Sequence, residues 1–273
     1  MTAENAESGK IAGVDPEVPH VSRVFDLMLG GTANFAADRA AAEYAFASWP
    51  GGDVRVDIRA ARGALVRIVR HLAAEAGVRQ FLDIGTGLPT MANTHEVARS
   101  VVPDARTVYV DKDPVVVAHA RHLLAGLPED EVRYLHADMK ELDRILDEAR
   151  DVLDFDRPIG VILFGVLHFF PDEQGPAELM KRIVDAVPPG SHVAFSQFAR
   201  VGEDAAMDEA FELLNQQWGE SVVRRTRQET ADLYFAGLEP VEPGVAELPD
   251  WRPEPGEAGP RPMPMWCGLA RKA

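Results

Sequence analysis

The chain moves between two hydrophobic periods. Val21, Val24, Phe25 and Met28 recur at the i, i+3, i+4, i+7 spacing of one helix face, and Gly30-Gly31 ends the run. Residues 36–47 read as a second helix and 57–76 as a strongly amphipathic third. Ile58, Ala61, Leu65, Ile68, Val69, Leu72 and Ala76 form its inner stripe, and Gly77 follows its end. Its basic face (Arg59, Arg62, Arg67, Arg70) is expected to be solvated. Beyond residue 80, short apolar runs alternate with helical patterns. Runs at 80–84, 106–110, 132–137, 159–164, 191–197, 238–241 and 265–271 predict strands. Segments 94–102, 114–124, 143–152, 176–187 and 204–218, with a short one after Thr226, predict helices. Asn93 with Glu96 and Thr226 with Glu229 have capping-box spacing, and Asp113-Pro114 supplies a cap followed by proline at the first helical position. The run 159–164 is the most apolar, so its strand should be central and covered on both faces.

Strand and helix in alternation predict an α/β fold with a mostly parallel sheet and helices on both faces. A final strand pair joined by a long loop predicts an antiparallel last strand, in a seven-stranded Rossmann-like arrangement. Residues 1–18 are expected to be a flexible tail, 19–77 an N-terminal helical cap or lid, and 78–273 the sheet domain. The proline- and glycine-rich stretch 243–264 holds no periodic segment and is expected to be a flap over the site or a disordered insertion.

The chemistry centres on the end of the first predicted strand. Asp83 stands two residues before Gly85, and Gly85-Thr86-Gly87 makes a tight turn that lets a ligand approach the main chain. The dinucleotide fingerprint needs a third glycine, and Leu88-Pro89-Thr90 follows instead. A carboxylate at Asp83 would repel a pyrophosphate but receive an ammonium, which suits S-adenosylmethionine. Asp111, at the tip of the second strand, can take both ribose hydroxyls, a logic shared with NAD enzymes. Asp138 at the third tip either accepts from an adenine amino group, with Met139 against the ring, or caps the helix that follows. His168, just beyond the fourth tip, is the candidate general base; it competes with a purely structural histidine whose ring bonds backbone. His20 and Gln197 are weaker candidates, and no His, Cys, Asp or Glu spacing reads as a metal site.

Composition narrows the partners. With 28 basic against 44 acidic residues the formal charge is −16, which disfavours nucleic acid and anionic membranes. Cys267 is the single cysteine, so a cytoplasmic protein is expected. The apolar run 159–170 is too short to span a bilayer, and the N-terminus has no apolar signal core.

Asp83-Ile84-Gly85-Thr86-Gly87, Val110-Asp111, Ala137-Asp138-Met139 and Gly165-Val166-Leu167-His168 resemble, in order, motifs I to IV of class I S-adenosylmethionine-dependent methyltransferases. The likeness is closer to an actinobacterial S-adenosyl methyltransferase family formerly of unknown function. It is carried by Arg23-Val24-Phe25-Asp26, Leu29-Gly30-Gly31 with Asn34-Phe35, Asp38-Arg39, residues 81–90 and 109–114, Leu167-His168, Pro189-Gly190-Ser191 and Phe235-Ala236-Gly237. Pro89 suits that family. The chain departs from it at Phe25, where the family tends to have Tyr, and at Gln197, where it tends to have His. The resemblance implies cofactor binding by Arg23, Gly31, Asn34, Asp83, Gly85, Thr86, Gly87, Asp111, Lys112, Asp138, Met139 and Val166, and methyl transfer to a small-molecule acceptor. The rival readings are a protein that binds S-adenosylmethionine without turnover, and a nicotinamide oxidoreductase.

Overall fold

The computed structural model describes residues 14–50, 52–88, 92–124, 126–218, 221–253 and 263–273. Most of the expected tail, Pro89-Thr90 and residues 254–262 of the expected flap lie outside the described residues. Three helices come first: α1 (Val21–Met28), α2 (Ala36–Ser48) and α3 (Val54–Ala74). The third begins earlier than its apolar stripe because Asp53 caps it, accepting from the Arg55 amide.

The sheet follows. β1 (Gln80–Ile84), β2 (Arg106–Asp111), β3 (Val132–His136), β4 (Gly160–Phe164) and β5 (His192–Phe198) are parallel. Between them run α4 (Thr94–Val101), α5 (Pro114–Leu123), α6 (Leu142–Ala149) and α7 (Pro176–Ala186). After β5 come α8 (Ala205–Trp218), α9 (Arg227–Tyr234), β6 (Glu239–Pro240), β7 (Ala246–Glu247) and β8 (Met265–Arg271). The order is β3-β2-β1-β4-β5-β8-β6, with β8 antiparallel to β5 and β7 paired to β8. The sheet therefore has eight strands rather than seven. The extra one is a two-residue strand inside the stretch expected to be loop.

Alternation along the strands gives two cores. On β5, Ala194 and Phe198 face α1–α3, while Val193 and Phe195 face α6 and α7. Ile68, Val69 and Leu72 of α3 have no exposed surface, and burying each contributes about 1.5–3 kcal/mol. The described part of the expected flap, 243–253, lies against α3. Arg67 donates from Nη2 to the Leu248 carbonyl at 2.6 Å and from Nε to the Trp251 carbonyl at 2.9 Å. The expectation of a solvated basic face is thus corrected at Arg67, which anchors this loop.

Candidate functional site

A cavity of about 370 Å³ runs along the carboxyl ends of β1–β5 and is walled by α1 and α3. The amino end of β8 joins the same edge, because antiparallel pairing sets Met265 beside Phe198. Strand order diverges at β1 and β4, the place where open α/β sheets bind ligands.

At the β1 tip the chain must pass close to β4. Gly85 has φ +71°, and a Cβ there would collide with the Val166 side chain. Gly87, at φ +68°, turns its amide to Asp111 Oδ2 at 2.8 Å. Asp111 Oδ1 accepts from the Asp113 amide at 2.9 Å. Burial pushes the Asp111 carboxyl upward, and those two amides oppose it. Each oxygen keeps a further lone pair. Thr86 and exposed Lys112 border the same stretch of cavity. Asp83 does not border the cavity. It is buried behind the turn, accepts from Thr94 Oγ1 at 2.6 Å, and is pushed up to about 6 by burial.

At the β3 tip, Asp138 accepts from the Lys140 amide at 2.8 Å and so caps the turn Met139–Glu141. It also borders the cavity beside Met139, so capping leaves the ligand-facing reading intact. At the β4 tip, Gly165 (φ +74°) leads through Val166 into the turn Leu167–Phe169. Arg225, buried to 5 % exposure, clamps this turn. It donates to the Leu167 carbonyl at 3.3 Å, the Phe170 carbonyl at 2.9 Å, Gln197 Oε1 at 3.3 Å and Asp172 at 2.9 Å. The Val223 amide adds a bond to the His168 carbonyl at 2.7 Å.

The His168 ring packs at tilted angles between Phe169 (4.3 Å) and Phe198 (4.5 Å) and borders the cavity at 1 % exposure. Neither ring nitrogen has a hydrogen-bond partner among the described residues. A histidine serving structure by bonding backbone is therefore not what is found. Burial, with help from Arg225, lowers its pKa to about 3, so the ring is neutral. Gln197 lies on the other face of β5, bonded to the Val223 carbonyl at 2.8 Å, and does not border the cavity.

α1 and its two caps give His20, Val21, Ser22, Phe25, Asp26 and Leu29 to the cavity. Arg23, Gly31 and Asn34 do not border it. Arg23 is buried against Asp38 at 3.1 Å and the Val18 carbonyl at 2.7 Å. Gly31 and Asn34 instead build a cradle for Asp26. A Cβ at Gly31 would collide with that carboxylate, which accepts from the Ala33 amide at 2.9 Å and from Asn34 Nδ2 at 3.2 Å. Burial raises the Asp26 carboxyl. His20 ties the lid to the loop after β2, with Nδ1 at 2.9 Å from Asp113 Oδ2.

Sequence reasoning missed Asp26, Arg62, Phe164, Ser196 and Met265 as cavity residues, and Arg225 as their support. Asp26 stands in a quoted stretch, but off the apolar stripe it reads as a surface charge. Arg62 was expected to be solvated; it borders the cavity and donates to Asn93 Oδ1 at 3.2 Å. Among the described residues no group of three His, Cys, Asp or Glu side chains is placed to hold a metal ion.

A family model described as S-adenosyl methyltransferase matches residues 7–273. A solved DUF574 family protein from Streptomyces avermitilis is 38% identical, with TM-score 0.88, covering 95% of this chain and 99% of its own. A candidate methyltransferase from Thermobifida fusca is 39% identical, also at 0.88, covering 96% and 97%. The 1,6-didemethyltoxoflavin N1-methyltransferase of Burkholderia thailandensis, solved with that compound and S-adenosylhomocysteine, is 21% identical at 0.51, covering 86% and 87%. That last likeness is one of fold. No curated protein matches the chain.

Proposed function

The chain belongs to the S-adenosyl methyltransferase family, and on that premise we propose how its cavity divides between cofactor and acceptor. By family and fold it is an S-adenosylmethionine-dependent methyltransferase, which sets aside the nicotinamide reading. The residues present suit the cofactor. The turn at Gly85 leaves no room for a Cβ, so the main chain itself faces the ligand, and Asp111 keeps lone pairs for two hydroxyls.

In this reading Asp111 holds the ribose, while Asp138 and Met139 hold the adenine. Gly85, Thr86 and Gly87 let the ligand approach the backbone, with Lys112 and Val166 flanking. Asp83 supplies negative potential for the ammonium. Arg23, Gly31 and Asn34 act at one remove, by fixing the lid and Asp26. When bound, the cofactor supplies a methyl group already activated by its sulfonium. The protein's share is then to align the acceptor, exclude water and hold the lid closed. The acceptor is a small molecule in this reading, because the cavity is walled on both sides and the charge of −16 repels nucleic acid. No helix among the described residues is long and apolar enough to cross a membrane, and with one buried cysteine the cytoplasm is the proposed location.

The observation that carries this reading is the Asp111 carboxylate, presented at the β2 tip by the Gly87 and Asp113 amides. Calorimetric titration with S-adenosylhomocysteine tests it. The wild type should bind, Asp111→Ala should bind about 10- to 100-fold more weakly, and Gly85→Val should not bind. Binding left unchanged by Asp111→Ala would sink the assignment of the β2 tip.

A further inference from the structure

Resting on the division of the cavity above, we infer that its β4–β5–β8 half is an acceptor subsite for an uncharged aromatic compound whose hydroxyl hydrogen-bonds to His168.

The walls point to a ring. Phe25 from the lid, Phe164 from β4 and Phe169 from the following turn border the cavity and each keeps accessible surface. Met265 joins them from β8. Aromatic faces and a thioether, brought from four separate elements, favour a flat apolar ligand.

The histidine points to a hydroxyl. A neutral imidazole offers one N–H and one lone pair, and both His168 nitrogens are buried without a partner. Buried polar groups are bonded as a rule, so an orphan beside a cavity marks a place for a ligand atom. The ring is hemmed in, because Phe169 and Phe198 pack against it at tilted angles while Arg225 and the Val223 amide hold its turn. One hydroxyl satisfies one of the two nitrogens, donating to the bare one or accepting from the protonated one, so it suits either tautomer of the ring.

The charges exclude a cation. The carboxylates bordering the cavity belong to the lid and to the β2 and β3 tips: Asp26, Asp111 and Asp138. The β4–β5–β8 half contributes Ser196 and neutral His168, while Arg62 lies toward Asn93 and the β1 tip. An ammonium there would find no carboxylate, and Arg225, behind the His168 turn, would repel it.

The test uses full-length protein saturated with S-adenosylhomocysteine, whose binding is first confirmed by calorimetry. Failure at that step would strike the cofactor reading rather than this one. Three probes are then titrated: 1-naphthol, 1-naphthoate and 1-naphthylmethylammonium. Ring ¹⁵N NMR follows His168, identified by its loss in His168→Phe. Naphthol should move the His168 ring resonances and bind at least tenfold more tightly than the ammonium. His168→Phe should keep S-adenosylhomocysteine affinity, melt higher than wild type because the orphan nitrogens are gone, and bind naphthol at least tenfold more weakly. Unmoved ring resonances in the wild type would overturn the inference, as would tighter binding of naphthoate than of naphthol, since a cation rather than the neutral ring would then be the anchor.

Discussion

The two halves of the cavity are finished to different degrees. On the β1–β3 side, polar groups are already satisfied by the protein: Asp111 by two amides, Asp83 by Thr94, Asp138 by the Lys140 amide. On the β4–β5–β8 side, the His168 ring is tightly packed, yet neither of its nitrogens has a hydrogen-bond partner among the described residues. The first half spends its hydrogen bonds on holding its own groups in place for one ligand. The second keeps an unmet demand that a ligand must answer. A methyltransferase needs both kinds of surface, because its cofactor is constant and its acceptor is what distinguishes it.

If the halves are separable, they should fail separately. The largest effect is expected from Arg225→Met, which strips four acceptors of their donor. It should cost about 3 kcal/mol in chemical denaturation, because buried carbonyls lose a charged partner. In the folded fraction, naphthol binding should vanish while S-adenosylhomocysteine affinity changes less than about threefold. A parallel loss of both ligands would show one site rather than two. Next comes pH. The Asp83 carboxyl, raised to about 6, is protonated below that value and then offers no charge to an ammonium. Cofactor affinity should therefore fall as pH drops through about 6, by up to about tenfold per unit. Asp83→Asn should flatten that limb and leave naphthol binding alone. The smallest effect is His20→Ala. His20 is 26% exposed, so its pairing with Asp113 is partly screened, and about 0.5–1 kcal/mol of cofactor affinity is at stake. A loss beyond tenfold would make the lid as important as the ribose carboxylate.

Much of the β1–β3 half was legible in the sequence, because its parts are local. A strand ending in glycines, and a carboxylate at each neighbouring tip, are patterns within a few residues of one another. Helix caps were equally local: Asp113 does cap α5, accepting from the Val115 amide. The β4–β5–β8 half is assembled from distant segments. A helical wheel shows that Arg67 leaves the apolar stripe of α3, but not that a carbonyl 184 residues away covers it. Arg225 reads as a loop charge until the turn at 167–170 folds over it. β7 is two residues long, and two residues carry no period. That His168 would lack partners is a fact about its surroundings, which no spacing along the chain encodes.

Met265 carries a consequence in time. It is the first residue of β8, which enters the sheet between β5 and β6, and it faces the cavity alongside Phe25 from the opposite end of the chain. Cys267 and Leu269 of the same strand share one core with Val24, Met28 and the inner stripe of α3. During synthesis the strand that completes that core is therefore the last to leave the ribosome. The seat of the first three helices and the wall of the cavity are finished in one late event, when β8 pairs with β5.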